Sequence, residues 1–291
     1  MTDCYNKYVS RIINYAEIRN SCFFNRDVFA DVDISVIIPV RSRTHFNHVV
    51  TKCLMDAMDM ESRFSYAITF VEHSPSQEHV DLCCHTNYVH IPTNEVFNKC
   101  LAFNIGALYC NQAKFYMFHD LDVIMKPDFF NNLYENFLRT DFGPIQSFTL
   151  RRVQYVNEQE TGRVLNGQID INSLRVNGAG IVQGRPPAPG GSLVIPHQQF
   201  FDIGGYDAEL FFGYSIEDQF FYDKLLAIGP VHSCDNPVNE MFHLWHTPLW
   251  NSNPHANEHH ALYHSFKNYT TTDKLKYLSA ASANLKKYKC I

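Results

Sequence analysis

Two carboxylates one residue apart are the feature of this sequence with the clearest chemical potential. Asp120 and Asp122 directly follow an apolar run, Phe115–Phe118, which is typical of a buried strand. Hard oxygen ligands of this kind suit Mg²⁺ or Mn²⁺, ions that commonly bind phosphates and keep several waters. The pair favours a divalent cation that carries a nucleotide diphosphate. By itself, however, an Asp-x-Asp sequence is equally typical of solvated or helix-capping acids.

The elements that would position these acids follow an alternating pattern. Strands are predicted at 34–39, 66–71, 88–91 and 115–118, and helices at 46–60 and 96–112, with Asn94 as the N-cap of the second helix. Such alternation predicts an α/β fold with a mostly parallel central sheet and helices on both faces. Ligands of such sheets lie at the carboxyl ends of the strands, where Arg41, Arg43 and Asp120 fall.

The second half of the chain has a different character. Residues 141–192 are polar and loop-rich, and a strand at 192–195 precedes a helix that begins near His197. Glu217 and Asp218 begin another helix, residues 247–258 are a long loop, and 273–289 are a basic helix, more typical of a solvated face than of a membrane anchor. The predicted organisation is a helical N-terminal extension (1–32), a catalytic domain (33–258) and a helical C-terminal tail (259–291).

Composition excludes several classes of protein. The 291 residues suffice for one large or two small domains, and 45% hydrophobic with 19% charged residues is ordinary for a globular protein. A net charge of −6 argues against a broad surface for nucleic acid. We find no secretory signal and no apolar run near 18 residues, and the nine cysteines lack C-x-x-C spacing. We therefore expect a cytoplasmic protein with reduced thiols, and the basic tail leaves peripheral contact with a membrane open.

Several segments, in order, resemble the β-1,4-galactosyltransferase family of GT-A-fold, nucleotide-sugar-dependent glycosyltransferases. The galactosyltransferase-like domain of polypeptide N-acetylgalactosaminyltransferases and the bacterial chondroitin-type polymerases share parts of the pattern. The resemblance covers roughly residues 33–255, and the segments that carry it are IIPVRSRTH (37–45), FNKCLAFNIG (97–106), FHDLDVI (118–124), PGGSLVIPHQQFFDIGGYD (189–207), FGYSIEDQFF (212–221) and HLWHT (243–247).

The resemblance implies a site for a UDP-sugar donor. Arg41 and Arg43 would bind the nucleotide, since a guanidinium offers a planar fork of donors to phosphate. Phe97 and Lys99 match positions near the uracil ring, although core and solvent-facing roles are nearly as well supported. Asp120 matches the acid near the ribose. The full set of implied donor-binding residues is Pro39, Arg41, Arg43, Phe97, Lys99, Asp120, Leu121, Gly191 and Tyr214.

The resemblance also implies a metal site made of Asp122, His243 and His246. The family has a Met-x-x-His pair where this chain has His-x-x-His, which replaces a thioether ligand with an imidazole and suits a broader range of divalent metals. We expect Mn²⁺ or Mg²⁺. A buried, hydrogen-bonded core histidine is the alternative for His243.

Asp218 matches the family's catalytic base. A sugar hydroxyl is a poor nucleophile, and a carboxylate within hydrogen-bond reach can take its proton during attack on the anomeric carbon. Glu217 would hold the acceptor or the local geometry, and Tyr214 stands where the family has a Trp platform for a sugar face. One displacement inverts the anomeric centre. Gln219 and Phe220 replace further acids of the family, so the acceptor does not transfer from the resemblance.

The resulting prediction is an inverting, metal-dependent glycosyltransferase that moves a hexose or N-acetylhexosamine from a UDP-sugar to a glycan hydroxyl. Ala188 stands where galactose-specific relatives carry a bulky Tyr, which favours an N-acetylhexosamine donor. Two other classes fit the same features: a metal-dependent nucleotidyltransferase or phosphohydrolase, and a non-catalytic sugar-binding descendant of a transferase.

Overall fold

The computed structural model describes most of the chain, namely residues 13–25, 31–59, 63–84, 86–110, 112–135, 147–149, 153–174, 178, 180–182, 190–233, 240–247 and 252–288. Residues 1–12 of the predicted extension, Ala188 and residues 248–251 of the predicted long loop lie outside this set. The loop-rich region 141–192 is described in part.

The described strands are β1 Phe23–Phe24, β2 Val32–Val40, β3 Tyr66–Ser74, β4 Asn87–Pro92, β5 Ala113–His119, β6 Val123–Met125, β7 Phe148–Thr149, β8 Val153–Val156, β9 Ile181–Val182, β10 Ser192–Pro196, β11 His232–Ser233 and β12 Met241–His243. The helices are α1 Tyr15–Ser21, α2 Asn47–Asp59, α3 Lys99–Tyr109, α4 Phe129–Leu133, α5 Glu158–Leu165, α6 His197–Asp202, α7 Glu217–Ile228, α8 Ala256–Lys267 and α9 Thr271–Lys286.

The central sheet has eight strands in the order β1-β4-β3-β2-β5-β10-β7-β11. Its middle strands β4, β3, β2 and β5 are parallel, as the alternation predicts. β10 pairs antiparallel with β5, and β7 pairs antiparallel with β10. A smaller sheet has the order β6-β12-β8-β9. The prediction of a mixed α/β fold with a largely parallel core is confirmed.

Helices cover both faces of the central sheet, because its strands are apolar on both sides. Side chains of β2 alternate between two buried clusters: Val36 and Ile38 pack with α2, whereas Ile37 packs with α3. α3 approaches the sheet closely at Gly106, where a Cβ would lie 2.5 Å from Ile37 Cγ2. Glycine is what permits this approach.

Predicted boundaries at both ends of α3 and at the loop before α8 are wrong, and α3 ends at Tyr109 rather than at residue 112. Asn98, not Asn94, caps α3, because its side-chain oxygen accepts a hydrogen bond from Leu101 N at 2.8 Å. The helix therefore begins three residues later than predicted. The loop predicted at 247–258 ends earlier, because α8 begins at Ala256.

The C-terminal helix α9 packs against α6 and α7. Leu278, Ala281 and Leu285 are buried on its inner face, while Lys276, Lys286 and Lys287 are exposed on the other. Gly204, at φ +77°, lies under this helix, where a Cβ would collide with Ala281. The predicted tail thus contributes to the core, and the domain boundaries at 32 and 258 stay a prediction. No helix among the described residues has both the length and the apolar character needed to cross a membrane.

Candidate active site

The loop that follows β2 contains Ser42 and Arg43. Ser42 and Arg43 have φ values of 56° and 59°, a left-handed conformation that is uncommon for residues other than glycine. Strain of this kind collects at functional sites, where the surrounding structure holds it in place. The turn brings the Arg43 guanidinium to Asp122, with Nη1 2.7 Å from Oδ2. Because β2 and β5 are parallel neighbours, their following loops meet at one edge of the sheet.

The turn Asp120–Asp122 follows β5 and is held by backbone hydrogen bonds. Asp120 N donates to Gly191 O at 2.9 Å, and Leu244 N donates to Asp122 O at 2.7 Å. Gly191 has φ +97°, which an L side chain rarely adopts. The turn is thereby tied to the segments that precede β10 and follow β12.

Strand register brings the two histidines to Asp122. β12 pairs antiparallel with β6, and this places His243 opposite Val123, the residue after Asp122. His243 Nε2 lies 3.5 Å from Asp122 Oδ1, and His246 Nε2 lies 3.1 Å from Asp122 Oδ2. One ligand atom from each of the three residues lies within 4.8 Å of the others.

The donor set fits a divalent cation. Asp122 is 5% exposed, and its Oδ1 is buried without a hydrogen-bond partner. Burial by itself would raise the pKa of Asp122, but His243, His246 and Arg43 outweigh it and hold the pKa well below its usual range. Burial lowers the pKa of His243, which favours the neutral imidazole that a metal ligand requires. One carboxylate and two imidazoles suit Mn²⁺ and related ions.

Lys99 connects the turn Asp120–Asp122 to the start of α7. Its Nζ lies 2.8 Å from Asp120 Oδ1 and 3.0 Å from Asp218 Oδ2. Burial would lower the pKa of Lys99, but Asp120, Asp218 and Glu217 hold it well above its ordinary value. Burial also raises the pKa of Asp120 to about 6, against the influence of Lys99. Lys99 is therefore an ion-paired cation inside the site and does not face solvent.

The predicted catalytic pair stands at the first turn of α7. Gly190 packs so closely on Asp218 that a Cβ there would collide with the carboxylate. Glu217 Oε2 is buried without a partner. Burial, together with the charge of Asp218, raises the pKa of Glu217 to about 7. The two adjacent acids thus have different environments: Asp218 faces the ammonium group of Lys99, while burial makes Glu217 harder to ionise than an exposed glutamate.

The other residues predicted to bind the UDP-sugar lie in loops, in β2 and in the core. Arg41 Nη1 donates to Glu95 O at 2.5 Å, and Phe97 O accepts from Gly213 N at 2.7 Å. Tyr214 is 49% exposed, as a platform for a ligand requires. Leu121 is 5% exposed and its side chain packs in the core, so its role in donor binding stays a prediction. Pro39 lies within β2 opposite Val71.

A second cluster of carboxylates and histidine lies at the end of β3. Glu72, Glu78 and His79 also offer ligand atoms within 4.8 Å of one another. Both carboxylate oxygens of Glu72 already accept hydrogen bonds, from Ser74 Oγ, Glu78 N, His79 N and Tyr88 Oη. These four donors hold the pKa of Glu72 below its ordinary value although burial opposes them. The Glu72 carboxylate is therefore saturated by the chain, although His79 Nε2 is buried without a hydrogen-bond partner.

Sequence reasoning missed three residues that contact Asp218 or the segment 212–215: Gly190, Asn253 and His259. Asn253 Nδ2 donates to Phe212 O and Tyr214 O, and His259 Nδ1 lies 2.7 Å from Ser215 Oγ. The doublet Gly190–Gly191 signalled the first of them. The other two stand in and after the polar sequence NSNPH, where no regular period predicts a contact.

Comparison with known proteins shows the GT-A glycosyltransferase fold. Residues 1–349 of S. aureus TarS superpose with a TM-score of 0.50 at 13% identity, over 87% of this chain and 71% of that chain. The mannosyltransferase PcManGT from Pyrobaculum calidifontis, solved with GDP-Man and Mn²⁺, gives a TM-score of 0.50 at 12% identity, over 98% of this chain and 79% of that one. The predicted fold is confirmed.

A Drosophila β1,4-galactosyltransferase 7 mutant, solved with manganese, UDP-Gal and xylobiose, has a TM-score of 0.48 at 12% identity, over 78% of this chain and 74% of that chain. No protein-family model matches the sequence. No curated protein matches it either.

Proposed function

We propose that this protein is an inverting, divalent-metal-dependent glycosyltransferase that moves a hexose or N-acetylhexosamine from a UDP-sugar to a hydroxyl of a glycan. The observation that carries the proposal is the arrangement around the turn Asp120–Asp122. At one end of the turn, Asp122, His243 and His246 form a trio of candidate metal ligands, and Asp122 Oδ1 has no hydrogen-bond partner. The Lys99–Asp218 ion pair lies at the other, bridged through Asp120.

In this proposal Asp122, His243 and His246 hold Mn²⁺ or Mg²⁺. The ion, when bound, would neutralise charge on the diphosphate leaving group. Arg43 lies beside Asp122, where a phosphate held at the trio would meet its guanidinium. PcManGT was solved with GDP-Man and Mn²⁺, and the Drosophila enzyme was solved with manganese and UDP-Gal. These ligands are the first to test with this protein.

Asp218 accepts the proton of the acceptor hydroxyl as that oxygen attacks the anomeric carbon. Lys99 contacts both oxygens of Asp218, at 3.0 and 3.2 Å, and directs the carboxylate into the site. Glu217 and Tyr214 would hold the acceptor beside Asp218, whose charge reaches both side chains. A single displacement by one acceptor oxygen gives a β-linked product from an α-linked donor.

A transfer assay tests the proposal. The protein is incubated with UDP-GalNAc, UDP-GlcNAc, UDP-galactose, UDP-glucose or GDP-mannose, in Mn²⁺ or in EDTA, with a panel of saccharide acceptors. We expect acceptor-dependent release of UDP that requires the metal, and a β-linked product by NMR. Nucleotide release that is independent of every acceptor would favour a phosphohydrolase. Donor binding without turnover would favour a sugar-binding descendant.

A further inference from the structure

A single side chain from outside the segment Phe212–Tyr214 bonds to two of its backbone carbonyls. Asn253 is 7% exposed, and its Nδ2 donates to Phe212 O at 2.7 Å and to Tyr214 O at 3.0 Å. Its Oδ1 accepts from His255 N at 2.9 Å. The carboxamide therefore uses both hydrogens on the carbonyls that flank Gly213, while its oxygen anchors it to the chain before α8.

Asn253 can approach the backbone of Gly213 closely because Gly213 has no side chain. Gly213 has φ +68°, and a Cβ there would lie 3.0 Å from Asn253 Cγ and Nδ2. Gly213 N donates to Phe97 O at 2.7 Å on the opposite side. The backbone that carries Tyr214 is thus fixed between a predicted donor residue, Phe97, and the carboxamide of Asn253.

His259 completes the same arrangement. It is 2% exposed, and its Nδ1 lies 2.7 Å from Ser215 Oγ, one residue beyond Tyr214. Its ring meets Phe212 edge-on, with centroids 5.0 Å apart. α8 and the residues before it therefore contact the carbonyls of Phe212 and Tyr214 and the Ser215 hydroxyl, while Tyr214 itself is half exposed.

We propose that Asn253 is a positioning residue for the acceptor: it fixes the Phe212–Tyr214 backbone so that the Tyr214 ring presents its face to a saccharide beside Glu217 and Asp218. The inference rests on the proposed function and adds the residue that sets acceptor affinity. Burial and the nearby charge of Glu217 raise the pKa of Tyr214, in keeping with a ring close to the catalytic pair.

The discriminating variant is Asn253→Asp. It preserves size but sets a carboxylate oxygen against the carbonyl oxygens of Phe212 and Tyr214, so both donations are lost. We expect the acceptor KM to rise by about 10-fold or more, with the donor KM and the Kd for UDP within about twofold. Asn132→Asp is the matched control, because Asn132 Nδ2 donates to Asp128 O at 2.8 Å away from the site. Its kinetics should not change.

A double-mutant cycle tests whether Asn253 acts through Tyr214. In a Tyr214→Ala background, Asn253→Asp should change the acceptor KM by less than about twofold, because the ring it positions is absent. A fully additive loss, or an equal rise in donor and acceptor KM, would overturn the proposal. If Asn253→Asp is too unstable to assay, Asn253→Ser, which lacks the opposed carboxylate, takes its place in the cycle.

A measurement without substrate separates this inference from the proposed function. Hydrogen exchange of the ligand-free protein should show faster exchange at residues 212–216 in Asn253→Asp and unchanged exchange in β2 and β3. Unchanged exchange at 212–216 overturns the positioning role even if transfer is observed. A wild-type protein that transfers no sugar refutes the proposed function, and with it the acceptor role, whatever the exchange data show.

Discussion

Two clusters of carboxylate and histidine side chains lie at the carboxyl ends of strands in the central sheet. One follows β5 and the other lies at the end of β3. In the first, Asp122 Oδ1 is buried without a hydrogen-bond partner, His243 Nε2 lies 3.5 Å from that oxygen, and His246 Nε2 lies 3.1 Å from Oδ2. In the second, four donors from the protein saturate Glu72. Ligand types and spacing are similar in both, and the state of the carboxylate oxygens separates them.

The difference has a physical basis. A buried carboxylate that lacks partners is costly unless a cation or a ligand completes it. A carboxylate with a purely structural role is satisfied by hydrogen bonds from the chain itself, as Glu72 is. The Asp122 cluster therefore has capacity left for an ion, whereas an ion at Glu72 would have to displace four hydrogen bonds.

The largest effect is expected from Asp122→Asn. A neutral amide replaces the anionic ligand, so Mn²⁺-dependent transfer should fall by at least about 10³-fold while the protein stays folded. Initial rates in saturating donor and acceptor measure this, with a thermal melt as the check on folding. Wild-type transfer that persists in excess EDTA would contradict the assignment of the trio.

Asp218→Asn should have the next largest effect. The amide keeps the shape but cannot accept the proton, so kcat should fall by about 10²–10⁴-fold with UDP binding nearly intact. Single-turnover rates and calorimetric titration with UDP separate the two quantities. If Glu217→Gln is inactive while Asp218→Asn keeps its rate, the roles of the two acids are reversed.

His243→Ala and His246→Ala should each raise the Mn²⁺ concentration for half-maximal activity by about 10–100-fold. Each variant removes one imidazole from the trio and leaves Asp122 in place. His264→Ala, on the exposed face of α8, is the matched control and should keep the wild-type metal requirement. If all three variants gave the same metal titration curve, His243 and His246 would not be metal ligands.

Glu72→Gln should change stability and leave the chemistry intact. A carboxamide cannot accept from all four donors, so the free energy of unfolding should fall by about 2–4 kcal/mol, measured by urea unfolding. The Mn²⁺ requirement of the remaining folded protein should match the wild type. A shift in that requirement would mean that the second cluster also binds metal, and the comparison would fail.

The sequence predicted the parts of this arrangement that local patterns encode. Apolar runs such as Phe115–Phe118 define buried strands, because such a run has few other ways to bury its side chains. The antiparallel position of β10 beside β5 was not predictable, since it pairs residues about 75 positions apart, such as Val194 with Met117. Lys99 is the clearest case at the site: its bridge joins three distant segments, and no local period marks it.

The smallest expected effect concerns the pH dependence of stability at Glu217. Its pKa in the folded protein is about 7, above the ordinary value of 4.5, because burial and Asp218 disfavour the ionised form. The protonated side chain therefore contributes stability that is fully present below about pH 4.5 and is lost as the pH rises through about 7. Glu217→Gln cannot ionise, so it should not show this loss.

Urea unfolding of metal-free protein at pH 5, 6, 7 and 8 measures the effect. The free energy of unfolding of Glu217→Gln, relative to wild type, should rise across this range by at most about 3 kcal/mol. Glu158→Gln, which changes an exposed glutamate at the start of α5, controls for the general effect of removing a carboxylate. A difference that stays constant with pH would show that Glu217 is ionised throughout, and the contrast between the two adjacent acids of α7 would disappear.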